Sequence, residues 1–364
     1  MRASKPNLSL SLFLLACLLG ASSARAHTVK VTPLGARTGE FCTADRAILF
    51  EDPTGVRILY DAGRTVAGGA DSRLGAVHAI LLTHVHSDHL GNDRLNQDPN
   101  DPASSCGGNL KTASALPNSN TAEIAVAKNS AVIVSADVSG FLGQKMQNLK
   151  AGTPTPQCAA GNEIVVPRTS PCRSNVGFGA KRTVTMAAGK PGVRIAIVPA
   201  QHGNGLDPGF LTEPEKTNLA ANGLLGPMGP AQSYLLTFTN GLTVFLSGDT
   251  GHTSDMATIV RDFYRPNLAV FNIGDIFTTG PEEAAFAVTR LLGVNAVIPS
   301  HANEVATTGG AVNPGTKTAR FIDLVGDLPV YLPLSGITLE FDGNATCTNC
   351  GGNGNGAKPQ SRTR

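Results

Sequence analysis

Six consecutive positions, His84-Val85-His86-Ser87-Asp88-His89, constrain this chain more than any other stretch. Three imidazoles and a carboxylate stand directly after Val77 to Leu82, an apolar run that reads as a strand. The alternative, a polar loop that merely happens to be His-rich, gives no reason for the alternation. Imidazole and carboxylate are ligands for zinc, manganese or iron. On a tight loop, alternate residues can face one ion while their neighbours face a second. A fold built on this loop must bring it further ligands from distant parts of the chain.

Three later loops also follow apolar, strand-like runs. They are Ala200-Gln201-His202-Gly203-Asn204, Ser247-Gly248-Asp249-Thr250-Gly251-His252 and Pro299-Ser300-His301. Taken singly, a His after a strand reads equally as a hydrogen-bonded surface residue, and Gly-Asp-Thr as a turn. Their shared position at strand ends joins them to the first motif as one candidate ligand set. Five of the eight histidines, His84, His86, His89, His202 and His301, belong to this set, the others being His27, His78 and His252 beside Asp249. His252, three residues beyond Asp249, is a candidate acid or ligand-orienting group, against the reading of a surface His on a turn.

The order of elements is strand-rich, then helical, then strand-rich, then helical. Strands are expected at Val29 to Pro33, Ala47 to Glu51 and Val56 to Tyr60, and helices at Thr121 to Asn129 and Ser139 to Lys150. In the second half a hairpin turns at Asn240-Gly241, and helices are expected at Asp255 to Phe263, Pro281 to Leu292 and Thr316 to Val325. This predicts two β/α halves packed sheet to sheet with helices outside. Asn92 to Asn120, Ala151 to Asn175 and Gly205 to Pro230 read as a long loop, a disulfide-pinned insertion and a lid or rim. No linker divides residues 27–341, and the Gly/Asn-rich tail 342–364 reads as frayed.

Residues 1–26 read as a secretory leader, with basic Arg2 and Lys5, apolar Leu8 to Leu19 and the cleavage motif Ala24-Arg25-Ala26. The apolar run is too short for a membrane span. Leu14-Leu15-Ala16-Cys17 offers lipoprotein processing as an alternative. Cleavage would make His27 the amino terminus and would leave 26 basic against 27 acidic side chains, since Arg2, Lys5 and Arg25 depart from totals of 29 and 27. No Lys/Arg cluster marks a polyanion site, which argues against nucleic acid as a partner and for a small-molecule substrate. Six cysteines remain beyond the leader, an even number that suits disulfides in an exported chain. Cys158 with Cys172 is a plausible local closure. Cys347-Thr-Asn-Cys350, without a second pair, reads better as a disulfide than as a redox or zinc motif.

Taken together, Asp61-Ala62-Gly63, the His-x-His-x-Asp-His motif, His202, Ser247-Gly248-Asp249-Thr250 and His301 resemble, in order, the motifs of the metallo-β-lactamase-fold metallo-hydrolases. Within that superfamily the chain is most similar to the lactonase-like metal-dependent hydrolases, relatives of ascorbate-phosphate lactonase. The stretches that carry this are Val198 to His202, Ile273-Gly274-Asp275, Gly280 to Ala285 and Val297 to His301. The resemblance implies an α/β protein, an αββα sandwich of two mixed sheets with helices outside. It implies His84, His86 and His202 on one divalent ion, Asp88, His89 and His301 on a second, and Asp249 bridging them. Asp249 stands where many true β-lactamases of this fold have Cys, and Ser87 where close relatives often have Gly.

Two divalent ions about 3.5–4 Å apart can share a water and bring its pKa near 7. Zinc is the default for such a site, with manganese or iron open. The expected activity is therefore an exported hydrolase that cleaves a lactone or other carboxylic ester with a metal-bound hydroxide. Asp88 is expected to orient the nucleophile as well as bind metal. Three alternatives stand beside it: a phosphodiesterase or nuclease, a mononuclear iron dioxygenase acting on persulfides, and a non-catalytic metal-binding module.

Overall fold

The computed structural model describes residues 27–224 and 226–350, together with Met1 and the strand residues Gly356 and Ala357. The expected leader, with its cleavage motif and Cys17, lies outside the described residues.

Period-two alternation builds two sheets that face each other. The seven strands of the first run in the order Leu339–Phe341, Val29–Pro33, Ile48–Glu51, Arg57–Tyr60, Ala79–Leu81, Ala131–Val134 and Cys172–Asn175. The nine-stranded second sheet is centred on Ala296–Ser300, Leu268–Asn272, Thr243–Leu246, Gln232–Thr237 and Val193–Pro199. Val31, Ile58 and Leu81 from the first sheet meet Ile195, Leu236 and Leu246 from the second in one buried layer. The opposite sides of the same strands pack on helices. Leu59 and Ile80 lie with Ile124 and Leu142, on helices Asn120–Lys128 and Ala136–Leu149. Phe245 and Phe271 lie with Val260 and Phe321, on the π-helical Met256–Tyr264 and helix Lys317–Val325. The result is the four-layer αββα arrangement expected above.

Several irregular stretches carry more structure than their composition suggests. Ala151 to Asn175 sends Glu163–Val165 into the second sheet and Cys172–Asn175 into the first, with Cys158 bonded to Cys172. Asn92 to Asn120 holds the ribbon Asp93–Leu95 with Thr112–Ser114, and Cys106 pairs with Cys42. Gly205 to Pro230 contains helix Glu213–Ala221, started by the Thr212/Glu215 capping box. The frayed tail expected from residue 342 is corrected as far as Cys350. The Asp342 carboxylate accepts from the backbone N–H of Asn344 and Thr346, Thr348 N–H donates to the Glu340 carbonyl (2.7 Å), and Cys347 bonds Cys350. Local turn chemistry and the disulfide hold this segment, which hydrophobic patterning alone could not reveal. Among the described residues, no helix is long and apolar enough to cross a membrane.

Two buried tyrosines cross between the sheets in opposite directions. Tyr60, on the first sheet, accepts a hydrogen bond from Gly248 N–H (2.8 Å) beside Asp249. Tyr234, on the second, lies with its hydroxyl 2.9 Å from the Leu82 carbonyl and 2.8 Å from that of Ile133, and accepts from Gln232 Nε2 at 2.7 Å. Burial, foremost, pushes both phenols well above their ordinary pKa, so they remain neutral hydroxyls. Tyr234→Phe should lower stability by about 1–3 kcal/mol, because the buried Ile133 carbonyl and Gln232 Nε2 both lose the hydroxyl as a partner. Urea unfolding measures this, and an unchanged midpoint would count against a bracing role for the hydroxyl.

Candidate metal centre

The parallel strands of both sheets end at a common edge, and every expected ligand lies on a loop there. Beyond Ala79–Leu81 the chain bends at Thr83 and then enters the short helix Ser87–Leu90, with His86 at its N-cap. The bend and the single helical turn after it divide these side chains, His84 and His86 going to one donor group and Asp88 and His89 to the other. Gly91 ends the helix at φ 81°, and a Cβ there would lie 2.5 Å from the Gly63 carbonyl oxygen. Glycine is thus what lets the ligand helix settle on the Asp61-Ala62-Gly63 turn.

Seven side chains converge in two groups, His84/His86/His202 and Asp88/His89/Asp249/His301, each with its donor atoms within 4.8 Å of one another. Asp249 faces both. Its Oδ2 lies 3.8 Å from His84 Nε2, 3.7 Å from His202 Nε2 and 3.1 Å from His301 Nε2, and its Oδ1 lies 3.2 Å from His89 Nε2. Asp88 Oδ2 lies 3.2 Å from His301 Nε2, and His86 Nδ1 lies 3.3 Å from His202 Nε2. His84, His89, Asp249 and His301 are buried, while His86, Asp88 and His202 face the cavity in part.

The outer nitrogens settle how two of the rings point. Thr83 N–H donates to Asp61 Oδ1 and the Thr83 hydroxyl to Asp61 Oδ2, both at 2.9 Å. With its one proton committed, that hydroxyl oxygen accepts from His84 Nδ1 at 3.0 Å. His89 Nδ1 donates to Asp61 Oδ2 at 2.8 Å. One buried carboxylate therefore turns the Nε2 lone pairs of both His84 and His89 into the cluster. Arg46, itself buried, donates from Nε to Asp88 Oδ2 (3.1 Å) and from Nη2 to Asn303 Oδ1 (2.7 Å), beside His301. Asn204, two residues after His202, accepts from Val85 N–H at 2.8 Å and so ties the two His loops together.

Burial alone would raise the Asp249 and Asp88 carboxyls, but the facing imidazoles, led by His89, outweigh it and hold both well below the usual range. Burial pushes His84 well below the ordinary imidazole value, with the neighbouring His89 adding to it. For His89 burial acts downward too, yet Asp249, Asp88 and Asp61 raise it well above that value. Ionised carboxylates and crowded imidazoles in a desolvated edge form an environment that a cation neutralises.

The donors fit such a cation. Ligands about 2.0–2.2 Å from one tetrahedral ion lie roughly 3.3–3.6 Å from each other, and the separations here scatter around that range, from 3.1 to 3.8 Å. His84 Nε2, His89 Nε2 and Asp249 Oδ1 are buried without a hydrogen-bond partner. Leaving three such groups unsatisfied would cost about 1–3 kcal/mol each. The set holds nitrogen and oxygen donors and no thiolate, which admits zinc, manganese or iron.

His252 is not brought to the cluster. It is exposed, its ring centroid lies 6.0 Å from that of Phe286, and it does not line the cavity. The turn that follows Asp249 is pinned by Gly251 N–H donating to the Gln201 carbonyl (3.0 Å), which carries the next side chain outward. His78 stands just before its strand, where Nδ1 accepts from Arg57 N–H at 3.0 Å. The positioning residues Arg46, Asn204 and Asn303 were not singled out in the sequence, because none sits in a motif of its own. Gly274 carried one signal, its place in Ile273-Gly274-Asp275. A Cβ on it would meet the His301 carbonyl oxygen at 2.2 Å.

The pattern that defines the beta-lactamase superfamily domain matches residues 56–302, more than half of the chain, and the chain belongs to that family. Among curated proteins it is similar to a metal-dependent hydrolase of Chloroflexus aurantiacus, 37% identical over 131 residues, 36% of this chain and 46% of that one. Another, from Roseiflexus castenholzii, is 27% identical over 257 residues, 69% of this chain and 77% of that one. The chain thus spans about half the length of some curated relatives and over three quarters of others. Among solved structures, a metallo hydrolase of the archaeon Ignicoccus hospitalis shares the fold, with a TM-score of 0.52 and 19% identity over 86% of this chain and 99% of that one.

Asp61→Asn should weaken metal affinity about 10–100-fold, since it removes the acceptor that orients two rings. Competition against a chromogenic chelator reads this directly. Affinity equal to the parent protein would mean that the imidazoles are oriented by something else.

Proposed function

We propose that the protein is an exported metal-dependent hydrolase that cleaves an ester-type bond, a lactone or other carboxylic ester, at a two-ion site. The observation that carries this reading is the pair of adjacent donor groups that share Asp249 at the floor of a cavity of about 760 Å³. Family membership supports it, as do the names of the curated relatives, which are metal-dependent hydrolases. Three disulfides support an oxidising destination.

His84, His86 and His202 would hold one ion, and Asp88, His89 and His301 the other, with Asp249 between. When bound, two divalent ions supply an acidified water and polarise the carbonyl oxygen, with zinc the default. The protein's own residues do the rest. Asp88, anchored by Arg46, orients the attacking water and relays its proton to the departing oxygen. The water oxygen bonds to the carbonyl carbon, the C–O ester bond breaks, and acid and alcohol leave. The tautomers imposed by Asp61 and Thr83 keep the donor geometry fixed while charge moves.

The cavity wall favours carboxylic esters over phosphodiesters. Histidines apart, Lys317 is the one basic side chain among the described residues lining it, against the carboxylates of Asp207 and Asp275. A polyanion would meet little attraction there.

Metal-loaded protein should hydrolyse members of a lactone and aryl-ester panel, lose that turnover on chelation, and act weakly on bis(p-nitrophenyl) phosphate. Absence of chelator-sensitive turnover on every ester would defeat the reading, and dominant phosphodiester cleavage would replace it. Asp249→Asn should lower kcat by about 100-fold or more, because a shared donor loses its charge. Metal affinity should fall as pH drops, since imidazole ligands must be deprotonated to bind and His89, which its facing carboxylates hold well above the ordinary imidazole value, is the first to take up a proton. Metal titrations between pH 5 and 8 check that sign.

A further inference from the structure

The loop between Leu268–Asn272 and Pro281–Phe286 runs against the preferences of its own sequence. Asp275 and Ile276 both have φ of 63°, and for a β-branched residue the left-handed region is an outlier. Burial does not repay this strain, because Ile276 is 87% exposed and Phe277 74%. Nor is the loop slack. Lys317 Nζ donates to the Gly274 carbonyl at 2.6 Å, Phe277 N–H to the Asp275 carbonyl at 2.8 Å and Ile276 N–H to Asp275 Oδ1 at 2.7 Å. Below them the Thr279 hydroxyl donates to the Asn272 carbonyl at 2.8 Å. A braced base therefore holds two large apolar side chains out in water. Both line the same cavity as Asp249 and His301, and Leu206 and Pro208 also line it.

Strain and apolar exposure at one braced point of a site are explained when a ligand covers that point. Asp275, the one carboxylate within the tip, spends an oxygen on its own backbone, and no carboxylate of the described residues lies within 4.0 Å of Lys317 Nζ. The tip thus offers apolar surface, and its ionic groups serve its own geometry.

We propose that Ile276 and Phe277 form the specificity element of this site and select an ester with an apolar chain or ring. That group would lie against the tip, between it and Leu206 and Pro208, with the carbonyl directed to the Asp249 and His301 floor. The identity of the cleaved bond rests on the ester-hydrolase reading above, whereas the apolar subsite rests on the loop itself.

The test uses the metal-loaded full chain and two readouts. Calorimetric titration with acetate, butyrate, hexanoate and octanoate should give a Kd that falls about threefold per methylene. In the double variant Ile276→Ser/Phe277→Ser that dependence should flatten to nearly none, and Phe277→Leu should restore part of it. The ratio of kcat/KM for p-nitrophenyl octanoate to that for the acetate should shrink in parallel. Thermal melting checks that the exposed substitutions leave the fold intact. Chain-length-independent binding in the parent protein, or an unchanged slope in the double variant, overturns the proposal whether or not esters are cleaved. A preserved binding slope with no ester turnover keeps the subsite and removes the ester reading. If the substitutions instead dissociate a dimer seen by light scattering, with the slope unchanged, the tip is an interface between copies and the proposal falls.

Discussion

Imidazoles and carboxylates gathered at one buried edge are a metal site only if their lone pairs face inward. The Asp61 carboxylate imposes that condition on two of them. It accepts from Thr83 N–H, the Thr83 hydroxyl and His89 Nδ1, and through that hydroxyl it also orients His84. A rotated His84 or His89 would present a donor N–H where an acceptor is needed, and desolvation would then oppose the cluster rather than being offset by a cation.

The same economy joins site and scaffold. Tyr60 reaches from the first sheet to the backbone beside Asp249, and Tyr234 from the second to the backbone before His84. Asn204 links the His202 loop to Val85, and Arg46 links Asp88 to Asn303. Each strut runs between halves of the chain that have separate outer layers of helix. Sliding one sheet on the other would break several buried hydrogen bonds at once, so the spacing of the two donor groups is tied to the packing of the whole sandwich.

Around this rigid floor the rim is built from less regular chain. Among the described residues, the ribbon Gly205–Leu206 with Gly226–Pro227 touches the helical layer of the first sheet only through Leu206, Phe210, Leu211 and Met228, helix Glu213–Ala221 buries no side chain, and the strained 274–277 turn is held by backbone bonds and Lys317. Floor and rim therefore answer to different constraints. The floor must place charges within tenths of an ångström, and the rim needs only to offer a surface of suitable polarity. The proposed division of labour, bond chemistry below and substrate choice above, follows from that difference.

Much of the floor was legible in the chain. The spacing His84-x-His86-x-Asp88-His89 and the placement of His202, Asp249 and His301 after apolar strands carried the donor set, because ligand type and strand periodicity are local properties. The αββα layering followed from strand-rich and helical runs in alternation. Local sequence did not reveal Arg46, Asn204 and Asn303, whose roles exist only once loops scores or hundreds of residues apart are packed together. Nor did it reveal that Ala151 to Asn175 feeds both sheets, or that Asp342 to Cys350 is held by a turn. His252 illustrates the limit: three residues from Asp249 along the chain, it is turned to solvent by one backbone bond from Gly251 to Gln201. Sequence alone determined which atoms could bind a metal. Tertiary packing decided which of them converge, which way their lone pairs point and what surface stands above them, because those depend on contacts between residues far apart in the chain.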